Sequence, residues 1–247
     1  MRLLVKIFFS VLLVYLVVGT ANAADVTKDI VSYWSLDGNA KDSVGGFDGE
    51  KVGGVNWVQA HKGQGAELDG KSSINVPKFK LTTNVITFSA WIKGWKVTDW
   101  AGIVGTRMPS GCEMIFGDSN TVHYVWNNDA GDTWGWGGAP AIPQDKWAMV
   151  ALTIDPEKAV AYVYSDDTGL KSGANKIKHL EQTMGNINIG WVDCCGGTRY
   201  FKGIIDEVII YNRALSEEDI NQLATKGLFA PVENNGKLTV TWGMIKH

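Results

Sequence analysis

Two adjacent carboxylates interrupt an apolar stretch near the C-terminus, and they are the side chains best placed for chemistry. Asp206 and Glu207 lie inside the segment 201–216, which reads as a strand that continues into a helix start. Side chains alternate between the faces of a strand, so we expect the two acids on opposite faces. Apart from its one acid, each face is apolar, which indicates a strand that is covered on both sides. A covered carboxylate stays charged only beside a cation or several donors. At least one of the two should therefore have a specific partner.

A second candidate is the segment 126–138, which is rich in Trp, Asn, Asp and Gly. Aromatic rings stack on the C–H faces of sugars while amides and carboxylates bind hydroxyl groups, so this mixture is typical of a sugar-binding surface. Trp95 and Trp100 lie on another loop and could join it. The alternative is that these rings cover the edges of the core, since the chain has 11 tryptophans. The predicted ligand-binding residues are Trp126, Asn128, Asp129, Asp132, Trp134 and Trp136.

Four segments resemble the laminin-G-like, concanavalin A-like jelly-roll family. The closing segment 201–216 is similar to the family pattern F-x-G-x-I-D-E-V-x-I-Y-N-R-A-L-S, and residues 33–43 are similar to the opening Y-W-x-L-D-G-N-A-x-D-S. Residues 86–92 and 147–152 resemble two of its central strands. The resemblance covers residues 28–228. It implies an all-β fold, an antiparallel two-sheet jelly-roll sandwich.

The resemblance also implies a structural Ca²⁺ that ties the opening segment to the closing strand. It places Asp206 as a side-chain ligand, together with Asp37 and Asp42 or nearby backbone carbonyls. Ca²⁺ binds six to eight oxygen atoms and would neutralise a buried acid. The alternative is that Asp206 accepts hydrogen bonds from backbone N–H groups of the turn 38–46.

The sequence predicts a protein without catalytic activity. Glycoside hydrolysis needs two carboxylates at a defined separation. The jelly-roll glucanases carry them as E-x-D-x-x-E or E-x-D-x-E, and the chain has neither run. Asp206 and Glu207, predicted on opposite faces, cannot replace them. Residues 129–134 fit the D-x-G-x-T-W core of a sialidase Asp box, but the pattern occurs once and we interpret it as a structural turn.

Short runs of β-branched and aromatic residues, separated by Gly, Asn and Asp, favour an antiparallel sandwich. One helix is predicted: Ser216 is a suitable N-cap with Asp219 at the third helical position, Ile220 and Leu223 share an apolar stripe, and Gly227 can end it. We expect it to pack on the sandwich edge. The predicted strands are Ile30–Leu36, Gly54–Val58, Ile74–Val76, Val85–Lys93, Gly102–Arg107, Val122–Asn127, Lys146–Ile154, Ala159–Tyr164, Ile187–Trp191 and Tyr200–Tyr211.

Three cysteines and four histidines complete the set of reactive side chains. Adjacent cysteines bond to each other only with strain, so we expect Cys112 to pair with Cys194 or Cys195. The histidines are scattered, and each is expected in a loop or on the surface rather than at a metal.

The first 23 residues read as a secretory signal, with an early basic region, an apolar core and the cleavage pattern Ala21-Asn22-Ala23. A membrane anchor is the alternative. Removal deletes Arg2 and Lys6, so 23 basic residues become 21 against 26 acids and the net charge changes from −3 to −5. An acidic chain lacks the basic footprint of a nucleic-acid-binding protein.

The expected organisation is a signal at 1–23, one jelly-roll domain at 24–230, and a tail at 231–247 with a possible extra strand. We expect a secreted, periplasmic or cell-envelope protein without a membrane span in its mature form. Its expected partner is a glycan or a glycoprotein or protein ligand. Two other hypotheses remain open: an adhesive module whose tail adds a strand to a partner's sheet, and a glycoside hydrolase that assembles acids from different strands.

Overall fold

A computed structural model describes residues 25–94, 100–107, 111–126, 131–196 and 199–229. The predicted signal segment and the tail 231–247 lie outside these residues. Within them, antiparallel strands form two sheets that pack face to face, with two short helices. The predicted all-β sandwich is confirmed.

The strands and helices follow one another along the chain with short connections. The strands are β1 Ile30–Trp34, β2 Glu50–Val52, β3 Asn56–Gln59, β4 Gln64–Asp69, β5 Ser73–Thr83, β6 Ile86–Gly94, β7 Gly102–Thr106, β8 Cys112–Phe116, β9 Val122–Trp126, β10 Ala148–Ile154, β11 Ala159–Ser165, β12 Gly169–Asn175, β13 Gln182–Ile189 and β14 Lys202–Tyr211. The helices are α1 Gly131–Trp134 and α2 Glu217–Lys226.

The first sheet has eight strands in the order β12-β11-β10-β6-β14-β4-β3, and β1 also pairs with β14. The second sheet has six strands in the order β2-β5-β13-β7-β8-β9. Large apolar side chains from both sheets fill the space between them, including Trp34, Phe88 and Trp126. Burying each such side chain stabilises the fold by roughly 1.5–3 kcal/mol.

Strand β14 carries a bulge at the two acids. Against β6, Asp206 pairs with Trp91 and Ile209 pairs with Ser89, so two residues of β14 oppose one residue of β6. Glu207, one of these two, has a φ of 51°, in the left-handed region. A bulge of this kind inserts one residue and breaks the alternation of faces. Ile205 before the bulge and Val208 after it both lie in the core between the sheets. On an unbroken strand, two residues three apart would point to opposite faces.

The bulge places both acids on the outer side of the eight-stranded sheet. The Lys62 backbone N–H donates to Oδ2 of Asp206 at 2.9 Å, and the Lys62 ammonium donates to Oε2 of Glu207 at 3.4 Å. The hydroxyl of Tyr33 donates to Oε1 of Glu207 at 2.7 Å. The prediction of opposite faces is therefore wrong, because a strict alternation does not allow for an inserted residue. The prediction of a specific partner is confirmed for both acids.

Lys62 reaches the acids from the tight connection between β3 and β4. In this hairpin the N–H of Ala60 donates to the carbonyl of Gly63 at 3.2 Å. Gly63 has a φ of 62°, and a Cβ there would lie 2.1 Å from Oδ1 of Asp37. A glycine is therefore required for the turn to approach Asp37. His61, on the same turn, stacks on Trp91 with ring centroids 3.5 Å apart.

Helix α2 has the predicted start and end. The Ser216 hydroxyl accepts from the N–H of Asp219 at 3.1 Å and the Asp219 carboxylate accepts from the N–H of Ser216 at 2.9 Å, which is a capping box. Gly227 ends the helix. Its apolar stripe joins Met149 and Tyr211 on the outer face of the eight-stranded sheet, so the helix covers a face rather than the edge. Neither helix of the described part is long and apolar enough to cross a membrane.

Candidate functional site

The outer face of the six-stranded sheet carries a patch built from β8 and β9. Cys112 and Met114 of β8 point into the core, so the side chains between and after them, Glu113 and Ile115, point outward. Val125 of β9 pairs with Glu113 and His123 pairs with Ile115. Apolar, acidic and imidazole groups thus lie next to one another on this face.

Three further segments surround the patch and form a cleft of about 370 Å³. The residue Trp100 comes just before β7, Trp134 is the last residue of α1, and the connection after β13 contributes Cys195 and Arg199. A volume of this size suits a small ligand or one or two sugar units. The lining residues are Trp100, Arg107, Ile115, Val125, Trp134, Cys195 and Arg199.

Trp100 is the centre of the cleft's aromatic contacts. Its ring meets the ring of Trp134 edge to face at 6.0 Å and the ring of His123 at 5.3 Å. The Arg199 guanidinium lies 5.9 Å from the Trp100 ring centroid. Trp134 keeps 43% of its surface exposed. The ring of Trp134 is thus open to solvent, and the neighbouring ring of Trp100 contacts a cation.

Two hydrogen bonds from the sheets fix the turn that carries Trp134. Nδ1 of His123 lies 2.7 Å from the carbonyl of Trp134, and because a carbonyl only accepts, this nitrogen carries the proton. Nδ2 of Asn175, at the end of β12, donates to the carbonyl of Asp132 at 2.6 Å. Rigidly held side chains bind a ligand with a smaller loss of conformational entropy.

A buried chain of polar groups supports Asn175. The Asn175 amide also donates to the hydroxyl of Tyr124 at 3.0 Å, and this hydroxyl lies 3.0 Å from Nε2 of His179. Nδ1 of His179 donates to the carbonyl of Asp155 at 2.9 Å, so Nε2 is the acceptor. Burial lowers the pKa of His179 and favours this neutral form. The expectation that the histidines lie in loops or on the surface is wrong for His123, which is buried in strand β9. His179 lies in the connection between β12 and β13, as expected, but it is buried there.

Two guanidinium groups line the cleft, and a buried carboxylate pairs with one of them. Arg107 forms an ion pair with Glu113 at 3.3 Å, and both side chains are largely buried. Burial lowers the pKa of Arg199, and the charge of Arg107 lowers it further, while Glu113 opposes the shift. These influences show that Arg199 shares one electrostatic environment with the ion pair.

The cysteines do not pair as predicted. Cys194 and Cys195 are bonded to each other, and Cys112 is a free, buried thiol. The prediction is wrong because Cys112 points into the core, whereas Cys194 packs with Ile115 on the opposite side of the six-stranded sheet. The six-stranded sheet itself separates the thiol of Cys112 from the other two cysteines. The disulfide places Cys195 against the cleft.

The structure separates the ligand residues predicted from the segment 126–138. Trp126 is fully buried, and its indole N–H donates to the carbonyl of Leu180 at 2.8 Å. Trp136 is half-buried and meets the ring of Tyr124 at 6.1 Å. Both positions belong to the core and its edge, as in the alternative reading of the tryptophans.

Of the remaining predicted ligand residues, Trp134 lines the cleft, and Asp132 is exposed two residues before it in α1. Asn128 and Asp129 lie outside the described residues, as does Trp95. Residues 131–134 form the short helix α1 rather than a hairpin turn. Arg107 and Arg199 were missed, because no local motif marks them and only the assembly of β8, β9 and three connections brings them together.

The three acids predicted for calcium have separate surroundings. Asp42 accepts four backbone N–H groups, from Tyr33, Val44 and Gly45 on Oδ1 and from Phe47 on Oδ2. These four donors hold the carboxylate of Asp42 against its own turn. The N–H groups of this turn therefore bind Asp42, and not Asp206 as the alternative to calcium supposed.

Asp37 and Asp206 approach each other across the β3–β4 turn. Asp37 is exposed and accepts the N–H of Gln64 at 2.7 Å. Asp206 is fully buried, and its Oδ1 has no hydrogen-bond partner among the described residues. Burial raises the pKa of Asp206 to about 7, and the charges of Glu207 and Asp37 act in the same direction. Among the residues that the structure describes, no three acidic, imidazole or thiol groups lie close enough to hold a metal ion.

Comparison with known proteins identifies the fold family. The sequence model of the concanavalin A-like lectin/glucanases superfamily matches residues 68–221. No match was found among curated protein sequences. The fold is similar to domain 4 of AbnA, a GH43 extracellular arabinanase from Geobacillus stearothermophilus, solved in complex with arabinotriose. The TM-score is 0.63 at 22% identity, over 79% of this chain and 98% of that one.

Two other solved structures share the fold over part of their length. The binding domain of Paraclostridial Mosquitocidal Protein 1 matches with a TM-score of 0.59 at 15% identity, over 80% of this chain and 52% of that one. Trypanosoma rangeli sialidase, in complex with 2,3-difluorosialic acid, matches with a TM-score of 0.53 at 15% identity, over 79% and 32%. At these identities the likeness concerns the fold alone.

Proposed function

The chain belongs to the concanavalin A-like lectin/glucanases superfamily, and we propose that it is a non-catalytic extracellular module that binds carbohydrate in the cleft on its six-stranded sheet. The observation that carries this proposal is the ring of Trp134, 43% exposed and held edge to face by Trp100. An indole fixed in this way offers a flat apolar surface to the C–H face of a sugar.

The polar groups around this ring suit the hydroxyl groups of a sugar. Arg107 and Arg199 line the cleft beside an apolar floor made by Ile115 and Val125, and the buried Glu113 pairs with Arg107. Ligand sites typically combine such a floor with a few fixed polar groups that orient the ligand. The similarity in fold to an arabinanase domain solved with arabinotriose is in keeping with a saccharide ligand.

The non-catalytic part of the proposal rests on the surroundings of the two adjacent acids. Although they share one side of the sheet, Asp206 has no exposed surface and Glu207 only 6%. Lys62 and Tyr33 bind both oxygens of Glu207, and Lys62 also binds Oδ2 of Asp206. Two covered carboxylates do not flank a glycosidic bond in this conformation.

The extracellular part of the proposal rests on the predicted signal at 1–23 and on the disulfide between Cys194 and Cys195. Disulfides persist mainly in oxidising compartments outside the cytosol. A structural calcium ion stays a prediction for Asp37, Asp42 and Asp206, and it is supported by Oδ1 of Asp206, which has no partner among the described residues.

The test is a glycan-binding screen of the purified protein, followed by titration calorimetry with the strongest binder. Trp134→Ala should weaken binding about fivefold or more, because stacking by one aromatic side chain contributes on the order of 1–3 kcal/mol in comparable ring contacts. Trp147→Ala is the matched control, because Trp147 packs on the outer face of the other sheet. Equal affinities of the two variants would disprove the assignment of the cleft.

A further inference from the structure

Within the described part of the chain, one cation of the cleft, Arg199, forms no ion pair. The Arg199 guanidinium faces the Trp100 ring at 5.9 Å, and in the described part of the chain no carboxylate lies within 4.0 Å of it. The carboxylate of Glu113 instead pairs with Arg107 at 3.3 Å. A partly buried charge is costly unless an opposite charge compensates it. Arg199 is thus arranged for an anion that comes from outside the protein.

The chain as a whole does not attract anions. Its net charge is −3, so any long-range field opposes an anionic ligand rather than drawing it to the surface. Binding of an anion therefore requires a local site with directed donors. The planar guanidinium fork supplies such donors, because two of its N–H groups can meet two oxygens of one carboxylate or sulfate.

The backbone of Arg199 is held independently of its side chain. Its carbonyl accepts the N–H of Gly102 at 3.1 Å, which ties the connection after β13 to the start of β7. This bond fixes the backbone of Arg199 beside the start of β7, two residues after Trp100. The same segment brings Cys195 to the apolar wall of the cleft.

We propose that the cleft binds an acidic saccharide, whose carboxylate or sulfate group is bound by Arg199 while its ring stacks on Trp134. This inference rests on the proposed carbohydrate-binding function and specifies its ligand class. Arg107 contributes positive potential, but its own charge is compensated by Glu113. Arg199 is accordingly the residue that distinguishes acidic from neutral sugars.

The test begins with an array that carries oligogalacturonides, oligoalginates, and hyaluronan and chondroitin sulfate oligosaccharides beside neutral arabino-, xylo- and galacto-oligosaccharides. We expect the acidic glycans to bind. Comparing the best acidic binder with its methyl-esterified or desulfated form then identifies which anionic group is used. The charged form should bind about tenfold more tightly or better, as expected for hydrogen bonds to a charged group.

Three variants assign the effect to Arg199. Arg199→Gln should remove the difference between the charged and neutralised forms, and Arg199→Lys should restore part of it, because it keeps the charge but not the fork. Lys158→Gln removes one positive charge from an exposed turn of the other sheet and should change nothing. Circular dichroism confirms that each variant is folded.

The outcomes separate this inference from the proposed function. If neutral glycans bind in a manner that depends on Trp134 but not on Arg199, carbohydrate binding stands and the acidic class is wrong. If acidic glycans bind but Lys158→Gln weakens them as much as Arg199→Gln, the attraction is nonspecific and the inference is also wrong. If no glycan on the array binds, both proposals fail.

Discussion

The backbone N–H of Lys62 donates a hydrogen bond of 2.9 Å to the buried carboxylate of Asp206, 144 residues further along the chain. Among the residues that the structure describes, the second oxygen of this carboxylate, Oδ1, has no hydrogen-bond partner. A carboxylate so poorly compensated favours its neutral form. The consequence is a stability that depends on pH.

Asp206→Asn should reduce the dependence of stability on pH. The pKa of Asp206 is raised from 3.8 to about 7, so the folded protein keeps the proton longer than the unfolded chain. Its contribution to the unfolding free energy is complete below pH 3.8 and is lost as the pH rises to about 7. A shift of this size corresponds to roughly 4 kcal/mol. Urea unfolding of both proteins across this range measures the difference.

The comparison with the variant is essential, because His61 and His179 have lowered pKa values and act in the opposite direction below pH 6.5. An effect of added calcium on stability would contradict the protonated state of Asp206. A bound Ca²⁺ would keep Asp206 ionised, raise the unfolding temperature at neutral pH, and lose this effect in Asp206→Asn. That result would establish the calcium prediction in place of a protonated acid.

Asn175→Ala should weaken ligand binding although Asn175 lies outside the cleft lining. Its amide holds the carbonyl of Asp132 and the hydroxyl of Tyr124, so the turn that carries Trp134 loses one of two anchors. Loss of a buried donor costs about 1–3 kcal/mol of stability. Calorimetry well below the unfolding temperature measures the affinity, and thermal unfolding measures the stability.

The exposed Asn221 on α2 offers the control Asn221→Ala, which should leave both quantities unchanged. A loss of stability in Asn175→Ala with unchanged affinity would show that the bond from His123 suffices to position Trp134.

Alkylation with iodoacetamide should distinguish the three cysteines. The native protein should not react, because Cys112 is buried and burial raises the pKa of its thiol. Denaturation without a reductant should expose one reactive thiol, Cys112, and reduction should then expose all three. Mass spectrometry of the peptides locates the modified residues. Alkylation of Cys194 or Cys195 in the unreduced, denatured protein would contradict the disulfide of the structure.

Local patterns predicted those parts of the fold that depend on neighbouring residues. Helix α2 was predicted from Ser216 and Gly227, because a capping box and a glycine C-cap involve only nearby backbone groups. Strand β6 was predicted from its alternation of apolar and polar residues. By contrast, β4 and β12 contain glycines and few β-branched residues, so their sequences do not stand out from loops. They form strands because their neighbours in the sheet pair with them.

Features that depend on tertiary structure could not be predicted in this way. The bulge at Glu207 appears only when β14 pairs with β6, and no residue type in the strand requires it. The cleft also depends on tertiary structure. Trp134 was identified from the composition of the segment 126–138, whereas Arg199 is brought to the cleft by a connection that folds back beside Trp100. The cysteine pairing was wrong because the sheet that separates Cys112 from Cys194 is not visible in the spacing.

Strand β14 pairs with β1, β4 and β6, although it is the last strand of the described chain. Until the residues near Tyr211 have left the ribosome, β1, β4 and β6 therefore lack the strand with which all three pair. Contacts across so long a separation in sequence slow folding, since a large loop must close before they form. The eight-stranded sheet therefore forms only after β14 is available, and until then the edges of its earlier strands stay open to chaperones or to other strands.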